Sequence, residues 1–304
     1  MVHISSTVRS LETEVARTKV SASVFAILTA LSLAGISAPT AAGAAPEVIT
    51  FQFRTAVDAT SVGGDADAQL RVIYQFNPDL APTQSEATFA SYGPLEKLIV
   101  EIGGQCASFS GGGTEISVFD NAGTSTVEDS YDVRANLPAT EGKQLFGHDF
   151  IFTRFLLGDS DATMFTSTAL PTSPGFADEA EFQQTVIVLA DPANPDSEKS
   201  LQAVDTSPFF LGTFDPPRKI GSILDQVRTL QVRDSLIKQL AAPLEDARAL
   251  LTGTFTQRNL DKGEQKLQQF INLVNANRRT LGDATANSLV SAARGTIESL
   301  PACA

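Results

Sequence analysis

Over the first two thirds of the chain, apolar and polar positions alternate. Leu70, Val72, Tyr74 and Phe76 alternate with Gln69, Arg71 and Gln75, and Ile73 is the exception. Leu98, Val100 and Ile102 alternate with Lys97 and Glu101, broken only by Ile99. A period of two turns one side of the chain inward, which marks half-buried strands. Further strands are predicted at 48–54, 114–120, 130–134, 149–157, 182–190 and 208–214. The unbroken run Val186-Ile187-Val188-Leu189 predicts a central strand. Turn-forming clusters separate these segments: Gly63-Gly64-Asp65, Gly111-Gly112-Gly113 and Asp191-Pro192-Ala193-Asn194-Pro195. Many short strands with such turns predict an antiparallel β-sandwich or jelly roll.

The period changes after Asp215-Pro216-Pro217, where two adjacent prolines disfavour continuation of helix or ladder. Leu236, Ile237, Leu240, Leu244, Ala247 and Leu251 follow helical spacing, and Pro243 is expected to split that run into two helices. Leu267, Phe270, Ile271 and Val274 share one helix face; Leu289, Val290, Ala293, Ile297 and Leu300 share another. Asp234 and Asp283 are expected N-caps, Gly253 fits just past a helix end, and a first helix is expected near 220–229. Helices this short need each other, so a small bundle is predicted. The expected architecture is two domains, β then α, at 45–215 and 216–304.

Charge supports the same boundary. Residues 45–215 carry 7 Lys/Arg and 25 Asp/Glu, whereas residues 216–304 carry 12 and 8. The whole chain of 304 residues has a formal net charge of −13, which argues against a nucleic-acid partner. Hydrophobic residues make up 42% and charged residues 19%, a composition that can bury a core. The first 44 residues read as an export leader. A polar stretch with Arg9, Arg17 and Lys19 precedes an apolar run over 24–36 and an Ala42-Gly43-Ala44 site, with cleavage expected after Ala44. The apolar run is shorter than the ~20 residues that span a bilayer. No twin Arg precedes it, which favours general secretion. A secreted, extracellular or cell-surface location is expected, without a transmembrane span in the mature chain.

The helical segment resembles the FIMAH domain, a small helical module at the C-termini of secreted bacterial proteins. The resembling run is Leu267-Gln268-Gln269-Phe270-Ile271-Asn272-Leu273-Val274-Asn275-Ala276, and 284–300 looks like that family's last helix. The resemblance covers about 80 residues, 220–300. It implies a module that follows enzymes or β-rich domains and has no catalytic activity of its own. The β half is more loosely similar to secreted bacterial proteins with a C-terminal PEP sorting tag. The similar features are Thr88-Phe89-Ala90-Ser91-Tyr92, Ile116-Ser117-Val118, Asp129-Ser130-Tyr131 and Leu170-Pro171-Thr172-Ser173-Pro174. The chain departs from that pattern in lacking a Pro-Glu-Pro tag, a terminal apolar span and a basic tail, so tag processing is not implied.

Candidate chemistry is sparse. Cys106 and Cys303 are the only cysteines. In an oxidising compartment they are disulfide candidates, closing a loop worth up to ~5 kcal/mol in the chain-entropy model. The other reading is a buried Cys106 and a free or intermolecular Cys303. His148, beside Asp149, lacks any nucleophile context and reads as a strand-end histidine. Asp65/Asp67, Glu128/Asp129 and Asp159/Asp161 are acidic pairs. Asp65, Asp67, Asp159 and Asp161 are weak candidates for a structural calcium, because calcium takes oxygen ligands from loops. None of these pairs extends into an EF-hand. Gly111-Gly112-Gly113 reads as a hairpin connection, and Arg278-Arg279 as a solvated face or a charge-complementary contact with an acidic domain.

With no Trp and three Tyr against 19 Phe, a sugar cleft lined by aromatics is disfavoured. The expected function is non-catalytic interaction in the envelope or extracellular matrix, with a polysaccharide or cell-surface component as partner and no cofactor. The rival reading is an extracellular hydrolase that uses two carboxylates on a polysaccharide.

Overall fold

The alternating segments become strands whose apolar sides face each other across a sandwich. The computed structural model describes residues 48–121, 128–137, 143–203 and 209–304; the expected leader lies outside the described residues. The strands are β1 Ile49–Val57, β2 Ala68–Phe76, β3 Gln84–Glu86, β4 Phe89–Tyr92, β5 Lys97–Ile102, β6 Gln105–Phe109, β7 Thr114–Phe119, β8 Asp129–Asn136, β9 Gln144–Leu145, β10 His148–Asp159, β11 Phe182–Asp191, β12 Asn194–Gln202 and β13 Phe210–Thr213. They form a five-stranded sheet, β13-β1-β2-β5-β6, and a larger one, β12-β11-β10-β8-β7-β4-β3, with β9 on β10. Every pairing is antiparallel.

The core between the sheets is built from the period-two positions. Phe51, Phe53, Leu70, Val72, Tyr74, Leu98 and Val100 meet Ile116, Val118, Tyr131, Val133, Phe155, Leu157 and Ile187. Tyr74 and Tyr131 share a hydroxyl–hydroxyl hydrogen bond of 3.2 Å across the core, and burial pushes both phenols up.

Helices begin where the charge changes sign: α1 Pro216–Arg228, α2 Asp234–Leu250, α3 Gln257–Ala276, α4 Arg278–Leu281 and α5 Asp283–Ser299. The two prolines open α1 at its first positions, where no backbone N–H is missed, and the Asp215 side chain caps it by accepting from the Arg218 amide. Pro243 does not split the second helix. It is buried within a continuous α2, among Leu240, Ala241, Leu244 and Ala247. Interior proline costs about 3 kcal/mol, which the packing of that face offsets. Asp234 and Asp283 are not N-caps; Arg233 and Gly282 hold those positions, and the two acids sit in the first turn, where the helix dipole favours them.

Sheets and helices together form one compact unit, Ala44–Ala304, with two separate cores. The second core explains the two exceptions in the strand pattern. Ile73 and Ile99 are register partners on the outer face of the five-stranded sheet, both fully buried among the helical residues Ile220, Leu224, Leu244 and Phe270. The sheet is therefore apolar on both sides at that point.

Polar partners complete the seam. The Gln75 side chain donates to the Gly253 carbonyl and accepts from the Phe255 amide, gripping the α2–α3 connection. Gly253 has φ +84°, which lets the chain turn there without a side-chain penalty. Arg71 pairs with Glu101 and donates to the carbonyls of Ser299 and Leu300 at 3.0 and 2.9 Å, a cation on the end of α5. Glu101 also accepts from the Ala302 amide. Beside it, Cys106 on β6 is bonded to Cys303, with Cα atoms 6.1 Å apart.

Ile99→Ala is expected to lower unfolding free energy by about 2–5 kcal/mol, as for other buried large-to-small changes. Urea denaturation measures it. An unchanged midpoint would mean that the seam is not a packed core.

Candidate functional site

Among the described residues, helices cover only the five-stranded sheet. The larger sheet turns its outer face to solvent, and that face carries side chains that join neither core. Phe89 and Phe119 lie 4.7 Å apart between ring centroids on adjacent strands, at one end of the face. Phe152, Leu156, Val186 and Val188 are half-buried on β10 and β11. Phe182, 36% exposed, lays its ring over Gly158, where a β-carbon would collide with it. The run Val186–Leu189 is continuous because β11 is apolar on both faces. It is not fully covered: Ile187 and Leu189 point into the core, while Val186 and Val188 face outward one strand from the edge.

A charged group sits within this face, among the hydroxyls of Ser91, Ser117 and Ser130. Asp132 is fully buried, and its Oδ2 receives Arg134 at 3.0 Å and Arg154 at 2.9 Å. Its Oδ1 has no hydrogen-bond partner among the described residues. Burial raises the Asp132 carboxyl, with the two guanidiniums opposing that shift. Arg134 also meets Glu115 at 3.3 Å, and Glu115 accepts from the Ser91 hydroxyl at 3.0 Å. Aromatic and aliphatic surface with fixed polar groups set into it is the chemistry of a recognition face.

The acidic pairs fall in different places. Asp65 and Asp67 are exposed in the turn before β2. Glu128 is exposed, whereas Asp129 is fully buried and accepts from the amides of Asn121 and Phe165. Asp159, its register partner, is also fully buried. It accepts from the amides of Asp161, Thr163 and Met164 and from the Thr163 hydroxyl. Together the two aspartates anchor 159–165 to the end of the sandwich. Burial works against ionisation of Asp159, but those donors outweigh it and hold the carboxyl at about 2.

Asp159, Asp161 and Glu181 bring carboxylate oxygens within 4.8 Å of one another, so each has an oxygen placed to meet a divalent cation. The same carboxylates already serve the loop: Asp161 accepts from the Thr163 hydroxyl, and Glu181 from the amide and hydroxyl of Ser160. Glu181 was not among the sequence candidates, since it lies 20 positions beyond Asp161.

His148 opens β10 half-buried with its Nδ1 unpartnered among the described residues, and the neighbouring Asp149 carboxylate accepts from Gln144 instead. The two side chains do not form an oriented base. Arg278 is held by Asp283, Asn287 and Asn275 within the helices.

A carboxyl held below its ordinary 3.8 stabilises the fold above that pH and loses the contribution as pH falls toward 2. Asp159→Asn is expected to lower the thermal midpoint at pH 7 and to flatten its decline between pH 4 and 2. Parallel curves for variant and wild type would contradict the role given to Asp159. No protein-family model matches the chain, and no match is found among curated proteins or solved structures.

Proposed function

We propose that this is an exported, non-catalytic interaction protein of the bacterial envelope or extracellular matrix, which binds a polysaccharide or cell-surface component. The observation that carries this reading is the open outer face of the eight-stranded sheet. It presents Phe89, Phe119, Phe152 and Phe182 with Leu156, Val186 and Val188 around the Asp132–Arg134–Arg154 group. An open sheet face of this kind suits an extended ligand laid along the strands. Half-buried rings supply contact area at little entropic cost, and anchored charges fix orientation. The FIMAH-like helices act as the second part of one scaffold, since they pack on the other sheet and leave this face free.

The test is a panel of bacterial and plant polysaccharides incubated with the mature protein, with and without Ca²⁺, reading retention and released sugar ends in the same tubes. The expected result is retention without products. Phe182→Ala, a surface change, is expected to weaken retention about tenfold, on the scale of an anchor side chain in an interface. Released sugar ends that disappear on mutating acidic residues would replace this reading with a carboxylate-dependent hydrolase.

A further inference from the structure

The outer face of the five-stranded sheet is sealed by helices on one side and open on the other. One row of register partners crosses it: Phe210 on β13, Arg54 on β1, Arg71 on β2, Glu101 on β5 and Cys106 on β6. The second half of this row belongs to the seam. Arg71, Glu101 and Cys106 are committed to Ser299, Leu300, Ala302 and Cys303. Its first half is uncovered. Arg54 is exposed and has no hydrogen bond or ion pair among the described residues. Phe210 is 55% exposed and lays its ring over Gly212, whose missing β-carbon makes room for it.

The charge balance here is the reverse of the rest of the β part. Arg54 stands directly across from Arg71, and Lys219 of α1 adds a third cation whose only close partner among the described residues is the Phe214 ring, 6.0 Å away. Desolvation and mutual repulsion lower both Arg54 and Lys219, with Glu101 opposing the shift at Arg54. Glu101 is already taken by Arg71. Arg54 is thus the guanidinium of this group left without an ion pair among the described residues, and a further anion would relieve its repulsion with Arg71.

Arg54 borders a pocket of about 440 Å³, lined also by Gln69, Arg71, Gln105 and two carboxylates, Glu101 and Glu298. Gln105 and Glu298 make no side-chain hydrogen bond to the described residues, so their polar atoms are available. Four kinds of group thus meet, one of them the Glu298 carboxylate, which can accept from a hydroxyl. A guanidinium offers a two-pronged bond to a carboxylate. An exposed ring offers an apolar platform, and side-chain amides offer partners for hydroxyls.

We propose that Arg54, with Phe210 beside it and the Gln69–Gln105 pocket adjoining, binds a carboxylate-bearing sugar unit of an acidic polysaccharide. This narrows the ligand class of the polysaccharide-binding reading and rests on it. The site is separate from the open face of the larger sheet, so the two are separable by mutation.

The experiment is calorimetric titration of the oxidised, full mature protein with oligogalacturonate, a neutral cello-oligosaccharide of equal length, and inorganic phosphate. Oligogalacturonate is expected to bind. Arg54→Ala should weaken it about tenfold or more, as loss of a charge-assisted two-pronged bond implies. Arg54→Lys, which keeps the charge without the fork, should fall between, and Phe210→Ala should weaken the oligosaccharide without affecting phosphate. Unchanged thermal midpoints would show that these exposed changes leave the fold intact.

Unaltered oligogalacturonate binding in Arg54→Ala would overturn the site. Phosphate binding as tightly as the oligosaccharide, with no effect of Phe210→Ala, would make it a simple anion site and overturn the sugar assignment. Retention of neutral polymer that falls with Phe182→Ala, with no oligogalacturonate binding, would defeat this inference and leave the broader reading standing. No retention of any saccharide would defeat both.

Discussion

The structure depends on covering a sheet face that carries both apolar and polar side chains. Ile73 and Ile99 gain from leaving water, but Gln75, Arg71 and Glu101 lie on the same face and lose their hydration with them. Burying such groups without partners would cost several kcal/mol. The helices supply those partners from their loops and ends, where backbone groups are unused: Gly253 and Phe255 between α2 and α3, Ser299 at the end of α5, and Leu300 and Ala302 after it. The helical bundle is thereby held in one orientation. The Cys106–Cys303 bond lies next to this cluster and joins β6 to the segment after α5, 197 positions apart.

Fixing the helices on one sheet decides what stays open. The larger sheet keeps its outer face free, and the five-stranded sheet keeps the margin beyond Arg71, where Arg54 and Phe210 stand. The two surfaces differ in chemistry. One sets rings, aliphatic side chains and hydroxyls around a closed group of charges; the other is an unpaired cation beside a ring and a polar pocket. A strongly acidic protein that keeps the exposed Arg54 without an ion pair among the described residues is placed to recognise an anionic group through short-range contacts, since its overall field repels anions.

Much of this was legible in the sequence. The alternation in 70–76 and 98–102 gave two strands of the five-stranded sheet, and the change of charge at 215–217 marks where strands give way to helices. The breaks at Ile73 and Ile99 were visible as irregularities, but their meaning needs a partner. Only a second covered face makes an apolar residue favourable on the polar side of a strand. β12 was missed because its sequence, NPDSEKSLQ, is that of an edge strand, polar enough to resist further pairing. Pro243 misled because its cost is local, whereas the packing that offsets it is tertiary. The Arg54–Phe210 pair could not be found by spacing, since the two residues lie 156 positions apart and meet only through β-sheet register.

The central claim is that seam and sandwich fold as one. The chain has no Trp, and all three tyrosines, Tyr74, Tyr92 and Tyr131, lie in strands, so tyrosine emission reports the sandwich alone. Ellipticity at about 222 nm is dominated by the helices. Urea unfolding of the oxidised protein followed by both signals should give superimposable transitions. Helical signal lost at a clearly lower urea concentration than the tyrosine signal would contradict the account, because the helices would then be an independent unit resting on the sheet.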